Sequence, residues 1–305
     1  MSSPEASAAV GAPAGVGDAP AVDTPRTAPA RPRGGGLASL LASETVTLLR
    51  RRRTWAMLAA LALIPILIAI AIRIAGPSGP GRGPAFLDQV AGNGLFVGMT
   101  ALVVATPLFL PLTIAVVSGD TIAGEASHGT LRYLLIAPAG RLRLLSVKYA
   151  VAAVFCLAAA LTVVVVGTLV GWMLFPVGPV TLLSGGQIPV GEGLLRLLAI
   201  GAYVAVSMLG LSAIGLFAST LTVVPVGAMA ATAILAVVAQ IVGAIPQLEW
   251  VHPFLFTDRW FDFADLLRSP PSWESFGDNA LLQAAWIAVF GGLAAWRFAT
   301  RDILS

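Results

Sequence analysis

The chain has 305 residues, of which 57% are hydrophobic and only 11% charged, against about one quarter charged in an ordinary soluble domain. Apolar runs recur from Thr54 to the C-terminus with short polar gaps, which excludes a long soluble catalytic domain and points to one integral membrane domain. The formal net charge of +3 is small and divided among loops, and no basic stripe with interleaved aromatics occurs, so nucleic acid is not an expected partner.

Met1 to Gly36 is rich in Ala, Pro and Gly without apolar periodicity, and it cannot bury enough surface to offset its ordering entropy. It reads as a disordered cytoplasmic tail, with the membrane domain following over residues 37–305. Leu37 to Leu49 places Leu37, Leu40, Leu41, Thr45, Leu48 and Leu49 near helical spacing, with Ser43 and Glu44 elsewhere on the circumference. This predicts either an interfacial helix lying on the bilayer or a cytoplasmic extension of the first span.

Arg50 to Arg53 precede Thr54 to Ile72, an uncharged run long enough to cross the hydrocarbon core. It is too long for the apolar segment of a cleavable signal peptide and is expected to stay as an anchor. A Gly and Pro-rich outer loop (76–94) leads to a second span, 95–117, which Pro107 and Pro111 should kink as a hinge or a permanent bend. The third span is 149–175, longer than a bilayer needs and so tilted or protruding. Its Gly167 and Gly171 form a small face suited to close helix packing within the chain or across a dimer. The only cysteine, Cys156, falls in this run, so an intrachain disulfide is impossible and it reads as a packing residue.

A second outer loop (176–193) precedes the fourth span, 194–217, where Arg196 near the outer end can snorkel. A tight Ser219-Thr220 turn leads to the fifth span, 223–245. In the longest gap, 246–279, Phe256, Trp260, Phe263 and Leu267 fall on one helical face, with Asp258, Arg259, Asp262 and Asp265 around the others. This predicts an amphipathic hairpin dipping into the outer leaflet; an interfacial belt of Trp250, Trp260 and Trp273 explains the tryptophans equally well. The sixth span is 280–298. Of the 18 lysines and arginines, only Arg73, Arg82, Arg196, Arg259 and Arg268 fall on the outer side of this arrangement, which places both termini in the cytoplasm.

Ser118 to Lys148 is the charged interval between the second and third spans, and it carries Asp120, Glu125, His128, Arg132, Arg141, Arg143 and Lys148. Such a segment is expected to lie in water. Asp120 suits the N-terminus of a short helix and Gly129 its C-terminus, a second helical piece stops before Pro138, and Arg141 and Arg143 lead back to the membrane. The order Gly119, Asp120, Ile122, Ala123, Gly124, Glu125, then Gly129, Thr130, Leu131, Arg132, Leu134, Leu135, then Pro138, Arg141 and Lys148 resembles the loop after the second membrane helix in type-2 ATP-binding-cassette permeases. The layout over residues 37–305 resembles that family too.

The resemblance implies an all-α integral membrane protein with six transmembrane helices, a cytoplasmic N-terminal interfacial helix and an outer amphipathic hairpin. It also implies a permease, homodimeric or heterodimeric, that pairs with cytoplasmic ATPase subunits in the cell membrane. The coupling loop would comprise Asp120, Glu125, Gly129, Thr130, Arg132, Pro138, Arg141 and Lys148. The first three charged groups would contact the ATPase or brace the loop, and Arg141 and Lys148 would sit at anionic headgroups.

The sequence's own chemistry agrees with half of a pump. A Walker A loop needs Gly-Lys-Ser/Thr, and the only lysine, Lys148, stands between Val147 and Tyr149. No cofactor is therefore expected in this chain, ATP being held by the partner, and it is not expected to be an enzyme. Two histidines, His128 and His252, give no His-Glu-x-x-His metal site, and no Gly-x-Ser-x-Gly elbow occurs. The span interiors carry essentially no charge, which disfavours a lone ion-coupled carrier, since carriers keep coupling carboxylates at mid-depth. The alternatives are such a carrier or a non-transporting membrane scaffold.

Overall fold

The computed structural model describes residues 37–75, 92–127, 140–182 and 184–300; the expected tail at Met1 to Gly36 lies outside them. Among the described residues the chain forms nine α-helices and one short hairpin. The helices are α1 (Leu37–Arg50), α2 (Arg52–Ala75), α3 (Phe96–Ala105), α4 (Phe109–Ser127), α5 (Arg141–Leu174), α6 (Val190–Ser207), α7 (Leu209–Leu221), α8 (Pro225–Gly243) and α9 (Glu274–Thr300). The hairpin pairs β1 (Val180–Thr181) with β2 (Gln187–Ile188) in antiparallel register, Val180 opposite Ile188.

Among the described residues six segments are long and apolar enough to cross a membrane: Arg52–Ile74, Phe109–Ser127, Leu142–Leu174, Val190–Leu221, Pro225–Gly243 and Glu274–Thr300. The protein is thus an all-α, multi-pass membrane protein. Helix α7 packs against α4, α8 and α9, while α5 packs against α2, α3 and α6. The core where these groups meet holds Phe155, Tyr203, Met208 and Trp260, all fully buried.

Local sequence explains the breaks. Pro107 sits between α3 and α4, where a proline cannot donate to the helical ladder. Its carbonyl accepts a hydrogen bond from Gln240 Nε2 of α8 at 2.6 Å, so a neighbouring helix supports this bend. Pro111 falls in the first turn of α4, where proline costs little. The α7–α8 turn comes later than expected. Ser219 and Thr220 are still helical, and the chain turns at Thr222 to Val224, where Thr222 Oγ1 accepts from the Val224 amide (3.0 Å) and Pro225 opens α8.

Gly167 and Gly171 pack within the chain. A Cβ on Gly171 would stand 2.0 Å from the Gly94 carbonyl oxygen, and one on Gly167 would stand 2.5 Å from Gly98 Cα. Only hydrogen at these positions lets α5 approach α3 and the residues before it so closely.

The stretch between α8 and α9 departs from the expected hairpin. It is built of three 3-10 turns, Pro246–Leu248, His252–Phe254 and Asp262–Leu267, joined by irregular chain. Its apolar face is the anticipated one, because Phe256, Trp260, Phe263 and Leu267 are all buried. Trp260 is part of the core, whereas Trp250 and Trp273 are largely exposed.

The conformation differs because neighbouring side chains take over this segment's backbone groups. Arg196 donates to the Leu266 and Arg268 carbonyls at 3.1 and 2.7 Å, Tyr203 to the Arg259 carbonyl at 2.7 Å, and Gln283 to the Phe256 carbonyl at 2.9 Å. Trp260 Nε1 donates to the Ser207 carbonyl at 3.0 Å. Arg196 and Ser207 are separated by about 16 Å along α6, at 1.5 Å per residue. The segment therefore descends well down the side of α6, and side-chain donors replace the helical ladder it lacks. Arg196 does not snorkel: its side chain is 11% exposed and is held by those carbonyls and by Glu192 at 2.6 Å.

Candidate functional site at the α1 end of the bundle

Charged side chains from four helices meet where α1 turns into α2. The corner itself is closed by hydrogen bonds. The Arg51 amide donates to the Leu48 carbonyl (3.2 Å) and the Thr54 amide to the Arg51 carbonyl (3.0 Å). Thr54 Oγ1 and Trp55 Nε1 cap the α1 carbonyls of Leu48 and Leu49, each at 2.7 Å. These two caps take up carbonyls that a helix end would otherwise leave free. They make α1 a separate helix rather than a straight extension of α2.

From this corner Arg51 Nη1 and Arg53 Nη1 both reach Asp120 Oδ2, at 3.4 and 3.1 Å. Arg53 Nη2 also donates to the Val116 carbonyl at 3.0 Å. A few residues further along α4, Glu125 pairs with Lys148 of α5, and Lys148 Nζ lies 3.4 Å from Glu44 of α1. Lys148 is only 4% exposed. An ammonium so far from water is stable only when carboxylates stay within reach, because its desolvation cost reaches several kcal/mol.

The far end of α4 is pinned on its other faces. Ser219 Oγ of α7 accepts from the Ile122 and Ala123 amides at 2.9 and 2.8 Å. Gly119 faces α8, where a Cβ would come within 2.8 Å of the Met229 amide nitrogen. Pushing α4 at this end would therefore act on α1, α2, α5, α7 and α8 together.

Asp120 does not begin a short helix, and the interval does not lie wholly in water. Helix α4 runs unbroken from the apolar run to Ser127, so the amides near Asp120 are already inside a helix, and its carboxylate turns to the arginines of the corner. Helix α5 likewise starts at Arg141, well before the apolar run, so Arg143 and Lys148 are helical. Partnered charges can remain in a helix at the edge of a packed bundle, which is why charge alone misplaced both boundaries. Gly129, Thr130, Arg132 and Pro138 lie outside the described residues, as do His128 and the side chain of Arg141. Asp120, Glu125 and Lys148 are brought to one junction, in two ion-pair groups. The residues missed by sequence reasoning are Arg51 and Arg53, whose only sequence signal was the Arg50 to Arg53 run, and Glu44, visible only as a polar residue off the apolar face of Leu37 to Leu49.

A small cavity of about 40 Å³ lies between α1, α4 and α5, walled by Glu44, Asp120, Glu125 and Lys148 among others. Among the described residues no group of three or more His, Cys, Asp or Glu side chains is placed to hold a metal ion. The junction offers ion pairs and a surface; it displays no catalytic arrangement.

No curated protein sequence matches the chain significantly. The family model described as an ABC-2 family transporter protein matches residues 40–247. That match runs from within α1 to just past α8 and covers the whole of the junction, well over half of the sequence, so the chain belongs to the ABC-2 family of transporter proteins.

Proposed function

We propose that the chain is the permease subunit of an ATP-driven exporter in the cytoplasmic membrane of the cell. In this reading a homodimer or heterodimer of permeases pairs with a separate cytoplasmic ATPase subunit, and ATP is held there. The α1 end and both termini face the cytoplasm. The observation that carries this reading is the junction that ties α4 and α5, on either side of the 118–148 interval, to α1 and α2. An ATPase bearing on that interval pushes a unit already clamped by Lys148 and Asp120. The motion then reaches the spans instead of being absorbed by a slack loop. Glu125, Arg132 and Asp120 supply the contact or brace it.

Co-purification from the native membrane tests this. An ATPase chain, identified by its mass, should accompany the wild type and be lost from Glu125→Arg while the variant still elutes as a folded permease. Arg132→Glu in the same interval provides a second readout if Glu125→Arg lowers the yield. Retention of the ATPase by both folded variants, or its absence from the wild type under conditions that keep the permease dimer intact, would overturn the reading.

A further inference from the structure

At the α1–α2 corner, beside the ion pairs, lies a larger cavity of about 360 Å³. Its charged lining is Arg51, Arg52, Arg53 and Asp120; Leu48, Met57 and Val117 supply an apolar side. Arg51 and Arg53 share the single Asp120 carboxylate. Arg52 is exposed and forms no ion pair among the described residues. The lining thus sets three guanidinium groups against one carboxylate and leaves an excess of positive charge facing a space many times the roughly 30 Å³ that a water molecule occupies.

We propose that this cavity binds the phosphate of an anionic glycerophospholipid headgroup. Guanidinium groups match phosphate oxygens with paired donors, and they do so better than ammonium groups. Arg52, committed to no carboxylate among the described residues, supplies the first contact. Arg51, held to Asp120 by one nitrogen at 3.4 Å, supplies the second, while Arg53 stays on Asp120 and the Val116 carbonyl.

The occupant is a lipid and not a free anion because of what borders the charges. Met57 and Val117 line the same space, and α2 leaves the corner as a membrane span whose Leu63, Leu67 and Ile70 are exposed along its length. A phosphate with acyl chains uses both the guanidinium wall and that apolar face, whereas inorganic phosphate uses only the first. Basic groups at the start of a span add attraction to anionic headgroups. The site is independent of ATPase pairing.

Native mass spectrometry of the full chain, released from micelles containing equal phosphatidylglycerol and phosphatidylcholine, reads occupancy directly. The wild type should retain phosphatidylglycerol in preference. Arg52→Gln should weaken that retention by about fivefold, the factor for roughly one charge at a membrane surface, and Arg52→Glu should abolish the preference. Because Arg52 is exposed and unpaired, both variants should elute as the wild type does. Met57→Trp, which fills the cavity from its apolar side without changing charge, should lower retention as well. Arg268→Gln, an exposed basic residue remote from the corner, should leave it unchanged. Equal retention of both lipids, or an undiminished preference in Arg52→Gln, would overturn the site. Displacement of the retained lipid by millimolar inorganic phosphate would assign the cavity to a free anion and overturn the lipid as its occupant.

Discussion

At the α1 end of the bundle the polar groups are ions from helices far apart in sequence, and they remain partly open to water: Arg51 is 52% exposed and Asp120 18%. Beside α6 and α9 the buried polar groups are neutral. Ser207, Asn279 and Gln283 are all buried, with Asn279 Nδ2 on Ser207 Oγ at 2.8 Å and Gln283 Nε2 on Asn279 Oδ1 at 3.2 Å. Unpaired ions cost too much to bury in such an interior, whereas amides, hydroxyls and an indole can satisfy irregular backbone there, joined at one end by Arg196 in its pair with Glu192. The Arg51, Arg53 and Asp120 group of the junction can exchange its partners for water, whereas Lys148, 4% exposed, depends on its carboxylates. The neutral knot loses its hydrogen bonds outright if it opens, so it suits an anchor.

The largest effect should come from the knot. Trp260→Ala removes a fully buried indole and its hydrogen bond to Ser207, and a large-to-small change at such a site costs about 3–5 kcal/mol. Thermal unfolding in detergent should show a pronounced fall in Tm. Trp250→Ala, at a position 75% exposed, should leave Tm nearly unchanged. A similar Tm for both variants would mean that the segment is not an anchor.

A smaller but still clear loss is expected from Lys148→Met at the junction. Removing the ammonium deletes the cation that Glu125, 16% exposed, and Glu44 share, and breaking a buried pair by deleting one partner costs about 3 kcal/mol. Adding Glu125→Gln should recover part of that Tm loss, since the carboxylate that had paired with the lysine is then neutral. If the double variant is less stable than Lys148→Met alone, the junction draws its stability from packing rather than from paired charge.

The number of spans was legible because long uncharged runs have few alternatives to crossing a bilayer, but the second, expected over 95–117, is Phe109–Ser127, with α3 a separate short helix before it. The ends of α4 and α5 were not legible, because charge was taken as the mark of a chain leaving the bundle. Partners that make charge tolerable there, such as Arg53 for Asp120 or Glu44 for Lys148, lie 67 and 104 residues away. For the stretch before α9, the spacing of Phe256, Trp260, Phe263 and Leu267 revealed the buried face and misreported the conformation. A 3-10 turn and an irregular chain can bury the same side chains as a helix when donors on α6 and α9 take up their carbonyls. The neutral partners Tyr203, Gln283 and Asn279 carried no local signal of that role.

The smallest effect sharpens the comparison where the two kinds of polar chemistry meet, at the carboxylates that border the neutral knot. Burial raises the pKa of Asp262, Arg259 beside it pulls the value down, and the nearby carboxylates of Asp258, Asp265 and Asp278 push it up again, leaving a net rise. An aspartate whose pKa is higher folded than unfolded binds more proton in the folded state between its ordinary value, about 4, and the raised one. Its contribution to stability is therefore present at low pH and lost as pH rises through that window. Asp262→Asn removes the titration. Relative to wild type, its Tm should be slightly more favourable at pH 7 than at pH 4, and the shift should be modest because Asp262 is 39% exposed. A variant that is instead relatively worse at pH 7 would show that the 3.5 Å pairing with Arg259 outweighs desolvation. The border of the knot would then behave like the ion-pair junction at the other end.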